Sequence, residues 1–130
     1  MKVILDSNAF FVPLEFKIDI FEEVRRLVNR NVEFVLLSSV KRELEILVSD
    51  GSPKVKREAF FALKLAEKCK FVAVEGNGEE TDDVIVRTAK SWNAPVFTND
   101  RVLKMRLRDI SVPVIYLRQK SRLDIDGLIS

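Results

Sequence analysis

The sequence predicts an α/β fold, a three-layer α/β/α sandwich built on a five-stranded parallel sheet. Five short, continuously apolar runs read as strands covered on both faces, the signature of parallel sheets. Segments with helical apolar spacing lie between those runs, and candidate helix caps stand where strand gives way to helix. Alternation of this kind, joined by right-handed crossovers, places helices on both faces of the sheet.

The elements follow in chain order. Val3 to Leu5 form the first strand, and Ile20, Val24, Leu27 and Val28 then recur at i, i+4, i+7 and i+8 as one helical face. A second strand covers Val35 to Leu37, after which Ser38 and Ser39 are placed to cap a helix carrying Glu43. Ser52 with Pro53 opens the next helix, whose apolar positions include Phe60, Leu63, Leu65 and Ala66. The third strand is expected over Phe71 to Val74, and Thr81 is placed to cap the helix VIVRTAKSW. Val96 to Thr98 and Val114 to Leu117 complete the five strands, with the helix RVLKMRLR between them. Ser121 to Ser130 reads as a loose tail or a final short helix.

With 130 residues, 47% of them apolar and 32% charged, the chain has the size and balance of one soluble globular domain spanning 1–130. Its apolar runs are strand-sized, well short of the roughly 20 residues that span a bilayer, and Asp6 interrupts the only start resembling a signal peptide. A cytoplasmic protein without membrane attachment is therefore expected. The lone Cys69 cannot form an intramolecular disulfide or a thiolate cluster, and is expected as a small, partly buried residue near a helix end. FFVPLEF, residues Phe10 to Phe16, reads either as core packing or as an interface for a homodimer or a protein partner.

The chain contains no histidine, so catalysis cannot use an imidazole base; metal-activated water is the most economical substitute. Four acids hang on four different apolar segments: Asp6, Glu43, Asp82 and Asp100. Strands feeding helices bring such segment ends to one sheet edge, where converging carboxylates repel unless hard cations sit between them. Each acid also has a simpler reading. Asp6 and Asp100 could cap helices, with Asn8 able to take the first of these roles, and Ser7 could touch a metal or its water. Glu43 lies three residues after Val40 and four before Leu47, on the inward side of its helix, whereas Glu45 points away; the plain alternative for Glu43 is a surface pair with Lys41 or Arg42. Asp82 shares the face of Ile85, Val86 and Ala89, while Asp83 aligns toward the edge; both also complement a helix N-terminus. An inventory of Asp, Glu, Asn, Ser and Thr favours hard, oxygen-ligated cations over zinc.

From Arg101 to Arg122 seven bases stand against one acid, Asp109. A basic rim beside an acidic centre suits a nuclease, since Lys and Arg hold the phosphates flanking the one that is cut. Arg101, Lys104 and Arg108 recur at i, i+3 and i+7, one helical face next to Asp100, and are the expected phosphate contacts; the plain alternative is a solvated helix face.

LDSN, VKREL, ETDDVIVRTA and VFTND, in this order, resemble the PIN-domain family of metal-dependent nucleases, over Met1 to about Leu117. The resemblance implies the PIN-like α/β/α sandwich, and acids binding one or two Mg²⁺ or Mn²⁺ ions that activate water against a phosphodiester, usually of single-stranded RNA. By position it assigns catalysis to Asp6, Glu43, Asp82 and Asp100, with Asp6, Asp82 and Asp100 on the metal and Asp83 as the alternate to Asp82. Thr98 and Asn99 match the polar residues beside the last acid. Archaeal PIN proteins of this kind resemble both VapC-type toxins, whose partner is an antitoxin, and ribosomal-RNA-processing nucleases; a non-catalytic RNA-binding or assembly module on the same scaffold is the third reading. A phosphoacceptor receiver domain fits less well, because Asp6 stands without the acidic pair such a domain needs, and LDSN lacks the second acid of an Asp-nucleophile DxD motif.

Overall fold

Strand β1 (Lys2–Leu5) is apolar on both faces because it lies inside the sheet, flanked by β2 (Glu33–Leu37) on one side and β4 (Val96–Phe97) on the other. The computed structural model describes residues 1–129 and orders six strands as β3-β2-β1-β4-β5-β6, with β3 at Lys70–Val72, β5 at Val114–Arg118 and β6 at Arg122–Asp126. Pairing from β3 through β5 is parallel throughout, with Ile4 opposite Val35 on one side and Val96 on the other. The strand order reverses between β1 and β4, and at such a switch point the loops leaving the two strands part and open a crevice. Asp6 follows β1 and Asp100 follows β4, so the topology alone brings these two acids together.

Helices α1 (Val12–Phe16), α2 (Ile20–Val28), α3 (Ser38–Asp50), α4 (Pro53–Ala66), α5 (Thr81–Trp92) and α6 (Arg101–Asp109) flank the sheet. Their apolar stripes seal it: Ile20, Val24, Leu44, Ile85, Leu103 and Leu107 lose essentially all contact with water beside Ile4, Leu5 and Phe97. Phe10 is fully buried, and Phe11 and Phe16 pack against the same core, so these aromatics are core packing. Cys69 lies just past α4, half-buried, and burial pushes its thiol up to about 12. Among the described residues no helix is long and apolar enough to cross a membrane.

Four expectations need correction. The segment after Ser121 contains a sixth strand rather than only a loose tail or helix: β6 pairs antiparallel with β5, Ile115 opposite Ile125 and Leu117 opposite Leu123. Its alternation, with Leu123 buried and Arg122 exposed, is that of an edge strand with one wet face. Gln119 and Lys120 turn the hairpin in left-handed conformation, at φ 54° and 57°. Gly127 follows β6 at φ 105°, a conformation side chains rarely adopt, with the movable Arg108 guanidinium packed close above it. Ser130, the end of the expected tail, lies outside the described residues.

The third strand stops at Val72 because the backbone of Val74 is occupied elsewhere: its N–H donates to Ser38 Oγ at 3.0 Å, and Ser38 Oγ donates to its carbonyl at 3.2 Å. Ser38 therefore straps α3 to the chain leaving β3 and does not cap. Helix α3 begins at Ser38 with Leu37 in the cap position, and Ser39 Oγ is buried without a partner among the described residues. Thr81 is likewise the first residue of α5 rather than its cap, which is Glu80 and makes no side-chain cap bond. Ser52 does cap α4, accepting from Val55 N at 3.4 Å.

Candidate active site

The β1 carboxylate is the most tightly held group at this edge. Asp6 is 4% exposed and its two oxygens divide the local donors: Oδ1 accepts from Ser7 N at 2.8 Å, and Oδ2 accepts from Thr98 Oγ1 at 2.7 Å and Asn8 Nδ2 at 3.1 Å. The cap of the 3-10 turn over Ser7–Phe11 thus belongs to Asp6. Asn8, the other candidate for that cap, is a cross-brace, its Oδ1 accepting from Asn99 N at 3.0 Å. Asn99 continues the chain of braces by accepting from Leu117 N at 2.7 Å. The ends of β1, β4 and β5 are consequently tied through Asn8, Thr98 and Asn99.

Asp100 does what the plain reading proposed and also joins the cluster. Its Oδ1 caps α6, accepting from Val102 N at 2.8 Å and Leu103 N at 3.0 Å, and its own N–H donates to Thr98 Oγ1 at 3.1 Å. A charge fixed there is felt by its neighbours: Asp100 raises both Asp6 and Asp82. Glu43 comes in from α3, half-buried and turned inward, with the Ser7 and Thr81 hydroxyls acting to lower its carboxyl, whereas Glu45 is exposed. Asp82 comes in from the first turn of α5. A cavity of about 490 Å³ opens between Glu43, Asp82 and Asp100, with Glu79, Glu80 and Thr81 at its rim.

Burial and crowding act in the same direction on three of these acids. Asp6 is raised above its ordinary 3.8 chiefly by burial, against the hydrogen bonds from Thr98 and Ser7, and Asp100 adds to the rise. Glu43 is raised by burial and then by Asp6 and Asp82. Asp82 is raised by burial, then Asp6, then Asp100, while Arg106 pulls it back. Four carboxylates from β1, α3, α5 and the β4–α6 junction therefore share one electrostatic neighbourhood. Asp83 turns instead to α6, where its Oδ1 accepts from Arg106 Nη2 at 2.8 Å.

The donor set of carboxylates, amide and hydroxyl oxygens suits a hard divalent cation and offers nothing to a thiophilic one. Among the described residues no three carboxylates stand at ligating distance of one another.

The basic run divides by helical phase. Lys104 and Arg108 leave α6 on the flank facing the β5–β6 hairpin: Lys104 Nζ lies 3.5 Å from the Tyr116 ring centroid and 3.6 Å from Asp126, and Arg108 Nε lies 3.2 Å from Asp126. Arg106 occupies the other flank and is the cation that reaches the acids, a residue sequence reasoning passed over. Its phase, opposite Lys104 on a helix starting at Asp100, was the available signal. Arg101 is exposed at the helix start.

Residues 3–120 match a family described as a PIN-like domain. Among curated proteins the chain is 33% identical over 129 residues to Ribonuclease VapC4 of Methanocaldococcus jannaschii, covering 98% of each, and 31% identical over 125 residues to Ribonuclease VapC9 of Archaeoglobus fulgidus, covering 96% of this chain and 89% of that one. The structure superimposes on the PIN domain endonuclease Utp24 with a TM-score of 0.82 at 26% identity, covering 98% of this chain and 92% of the other. A crystal structure of VapBC2 from Rickettsia felis, bound to a promoter DNA fragment, shares the fold with a TM-score of 0.58 at 19% identity over 81% of this chain and 92% of that one.

Proposed function

The chain belongs to the PIN-like domain family, and we propose that it is a Mg²⁺- or Mn²⁺-dependent ribonuclease that hydrolyses phosphodiester bonds of RNA. The observation that carries this reading is the meeting of Asp6, Glu43, Asp82 and Asp100 from four separate elements, three of them raised chiefly by burial and further by neighbouring carboxylates of the set. Such crowding is unfavourable for folding alone and is expected where a cation and a phosphate are to be held. The two curated relatives named as ribonucleases, matched along nearly their whole length, support the same reading.

Asp6, Asp82 and Asp100 would hold the cation, with Glu43 completing the anionic wall. When bound, the cation would lower the pKa of water and offset charge on the phosphate in the transition state. This chain's own residues supply the rest. Thr98, Ser7 and Asn8 orient Asp6 by donating three hydrogen bonds to its carboxylate, and these bonds offset part of the rise that burial imposes on it. Asp100 is fixed by the two α6 amides it caps, so its carboxylate costs little ordering when the cation binds. Arg106, anchored by Asp83, gives the site a positive charge next to the acids.

The relatives' names support a VapC-type toxin with an antitoxin partner; a ribosomal-RNA-processing nuclease is the second reading, and the superposition on a PIN domain endonuclease supports a nuclease under either. Induced expression in a host cell separates the two. Growth arrest relieved by the product of an adjacent small gene, and lost in Asp6→Asn, is expected of the toxin; growth unaffected by the active enzyme supports the processing role.

A further inference from the structure

Between α6 and the β5–β6 hairpin runs a second cavity, of about 600 Å³, whose lining includes Thr98 and Asn99, the residues that brace the acidic centre. Its volume falls within the range of roughly 300–1,000 Å³ typical of small-ligand sites. Tyr116 and Leu117 of β5 and Met105 of α6 line it, and Met105 is 67% exposed with no structural reason to be apolar there. Three cations reach it, but Asp109 and Asp126 line it as well, and Asp126 already holds both Lys104 and Arg108. Lys104 is further engaged on the Tyr116 ring. A cavity so compensated is poorly suited to a phosphate, which needs uncommitted positive charge. It is well suited to a flat, apolar-faced group carrying polar edges.

We propose that this cavity is a nucleobase subsite: one base of single-stranded RNA, belonging to a nucleotide beside the one cut, displaces the Lys104 ammonium from the Tyr116 ring toward Asp126 and stacks there beside Met105, while its backbone continues past Thr98 and Asn99 to the acids. The proposal rests on the ribonuclease reading for the direction of the strand, but base binding itself does not require cleavage. Stacking on an aromatic side chain tolerates any base and needs little charge, which is how single strands are held without sequence preference. Asp126 then has a definite task. It withdraws Lys104 and Arg108 from the phosphates and sets them as walls, leaving the exposed Arg101 to meet the backbone.

Tyr116 is the sole tyrosine of the chain, so incorporation of 3-fluorotyrosine gives a single ¹⁹F resonance inside the cavity. The Asp6→Asn protein in Mg²⁺ would be titrated with a single-stranded oligoribonucleotide of about eight nucleotides and, separately, with linear polyphosphate. RNA should shift the resonance and polyphosphate should not. In an unlabelled protein, Tyr116→Ala and the surface change Met105→Ser should each weaken RNA binding, the first by roughly ten-fold or more, with the salt slope unchanged, and Tyr116→Phe should bind as well as the parent. Equal shifts with polyphosphate would make this a phosphate site, and no shift with RNA would leave the cavity unused; either result overturns the proposal. Whether Mg²⁺-dependent cleavage is lost in Asp6→Asn is read in a separate assay, so failure of the ribonuclease reading and failure of the base subsite are told apart.

Discussion

Thr98 Oγ1 donates to Asp6 Oδ2 at 2.7 Å, joining two residues 92 positions apart in the chain and both buried at the sheet's switch point. The same hydroxyl oxygen accepts from Asp100 N, so one side chain aligns the acids that follow β1 and β4. Replacing it with valine keeps the volume and removes both bonds, leaving a buried carboxylate short of a donor. Thr98→Val should therefore destabilise the metal-free protein by about 1–3 kcal/mol and weaken Mg²⁺ binding, because Asp6 becomes harder to ionise. Chemical denaturation and Mg²⁺ titration measure the two effects.

Asp6, Glu43 and Asp82 are all raised in the folded state, so each favours folding in its protonated form. Their contribution to stability is complete below their ordinary values, 3.8 for the aspartates and 4.5 for the glutamate, and is lost as pH rises through the raised folded values. Asp124 works the other way, since its bond to Arg118 lowers it, and its contribution is lost below 3.8. The metal-free protein should thus gain stability from these three groups on mild acidification, Asp6→Asn should flatten that gain, and added Mg²⁺ should reverse it by favouring the ionised forms. Thermal melts from pH 4.5 to 8, with and without Mg²⁺, check the sign.

Neighbouring acids on one helix should differ sharply. Glu43→Gln and Asp82→Asn should reduce cleavage far more than Glu45→Gln and Asp83→Asn, since Glu43 and Asp82 share charge with Asp6 while Glu45 is exposed and Asp83 is paired with Arg106. Asp83→Asn should instead cost roughly 0.2–1 kcal/mol of stability, the value of a partly exposed ion pair. Steady-state rates and melting curves on the four variants separate the roles, and equal losses within either pair would contradict the geometry.

The cations of α6 should separate in the same way. Arg101→Ala should weaken RNA binding and reduce the log–log salt slope by about 0.7, the loss of one phosphate contact on a single strand. Lys104→Ala and Arg108→Ala should leave that slope nearly unchanged and loosen the hairpin instead, because Asp126 holds both side chains. Binding measured at several salt concentrations distinguishes them.

The helical and strand pattern carried most of the architecture, because continuous apolar runs and i, i+4 spacing report burial directly. Strand β6 escaped that reading: RLDID is short and charged, and its two inward residues, Leu123 and Ile125, are meaningful only once β5 lies beside them. The serines and threonine before α3 and α5 were misplaced by a single step: each helix begins on the expected cap residue, and Ser38 is drawn off by Val74, a partner far away in sequence. At the site, the segment-end positions of Asp6 and Asp100 were legible because strand ends gather at one edge. The division of the α6 cations was not, for it depends on which flank of the helix faces the β5–β6 hairpin, a strand pair the sequence did not announce. Asp83 and Arg106 similarly meet only through the packing of α5 on α6.

The central claim is that the four carboxylates form a cation-dependent centre that cuts RNA. It is tested most directly by measuring Mg²⁺-dependent cleavage of a single-stranded RNA by the parent protein, Asp6→Asn and Asp100→Asn, each purified identically and checked by circular dichroism. The account predicts cleavage by the parent that EDTA abolishes, and at least a hundred-fold loss in both variants with the fold intact, on the order of the effect of removing one electrostatic transition-state contact. Undiminished, metal-independent cleavage by both variants would contradict it.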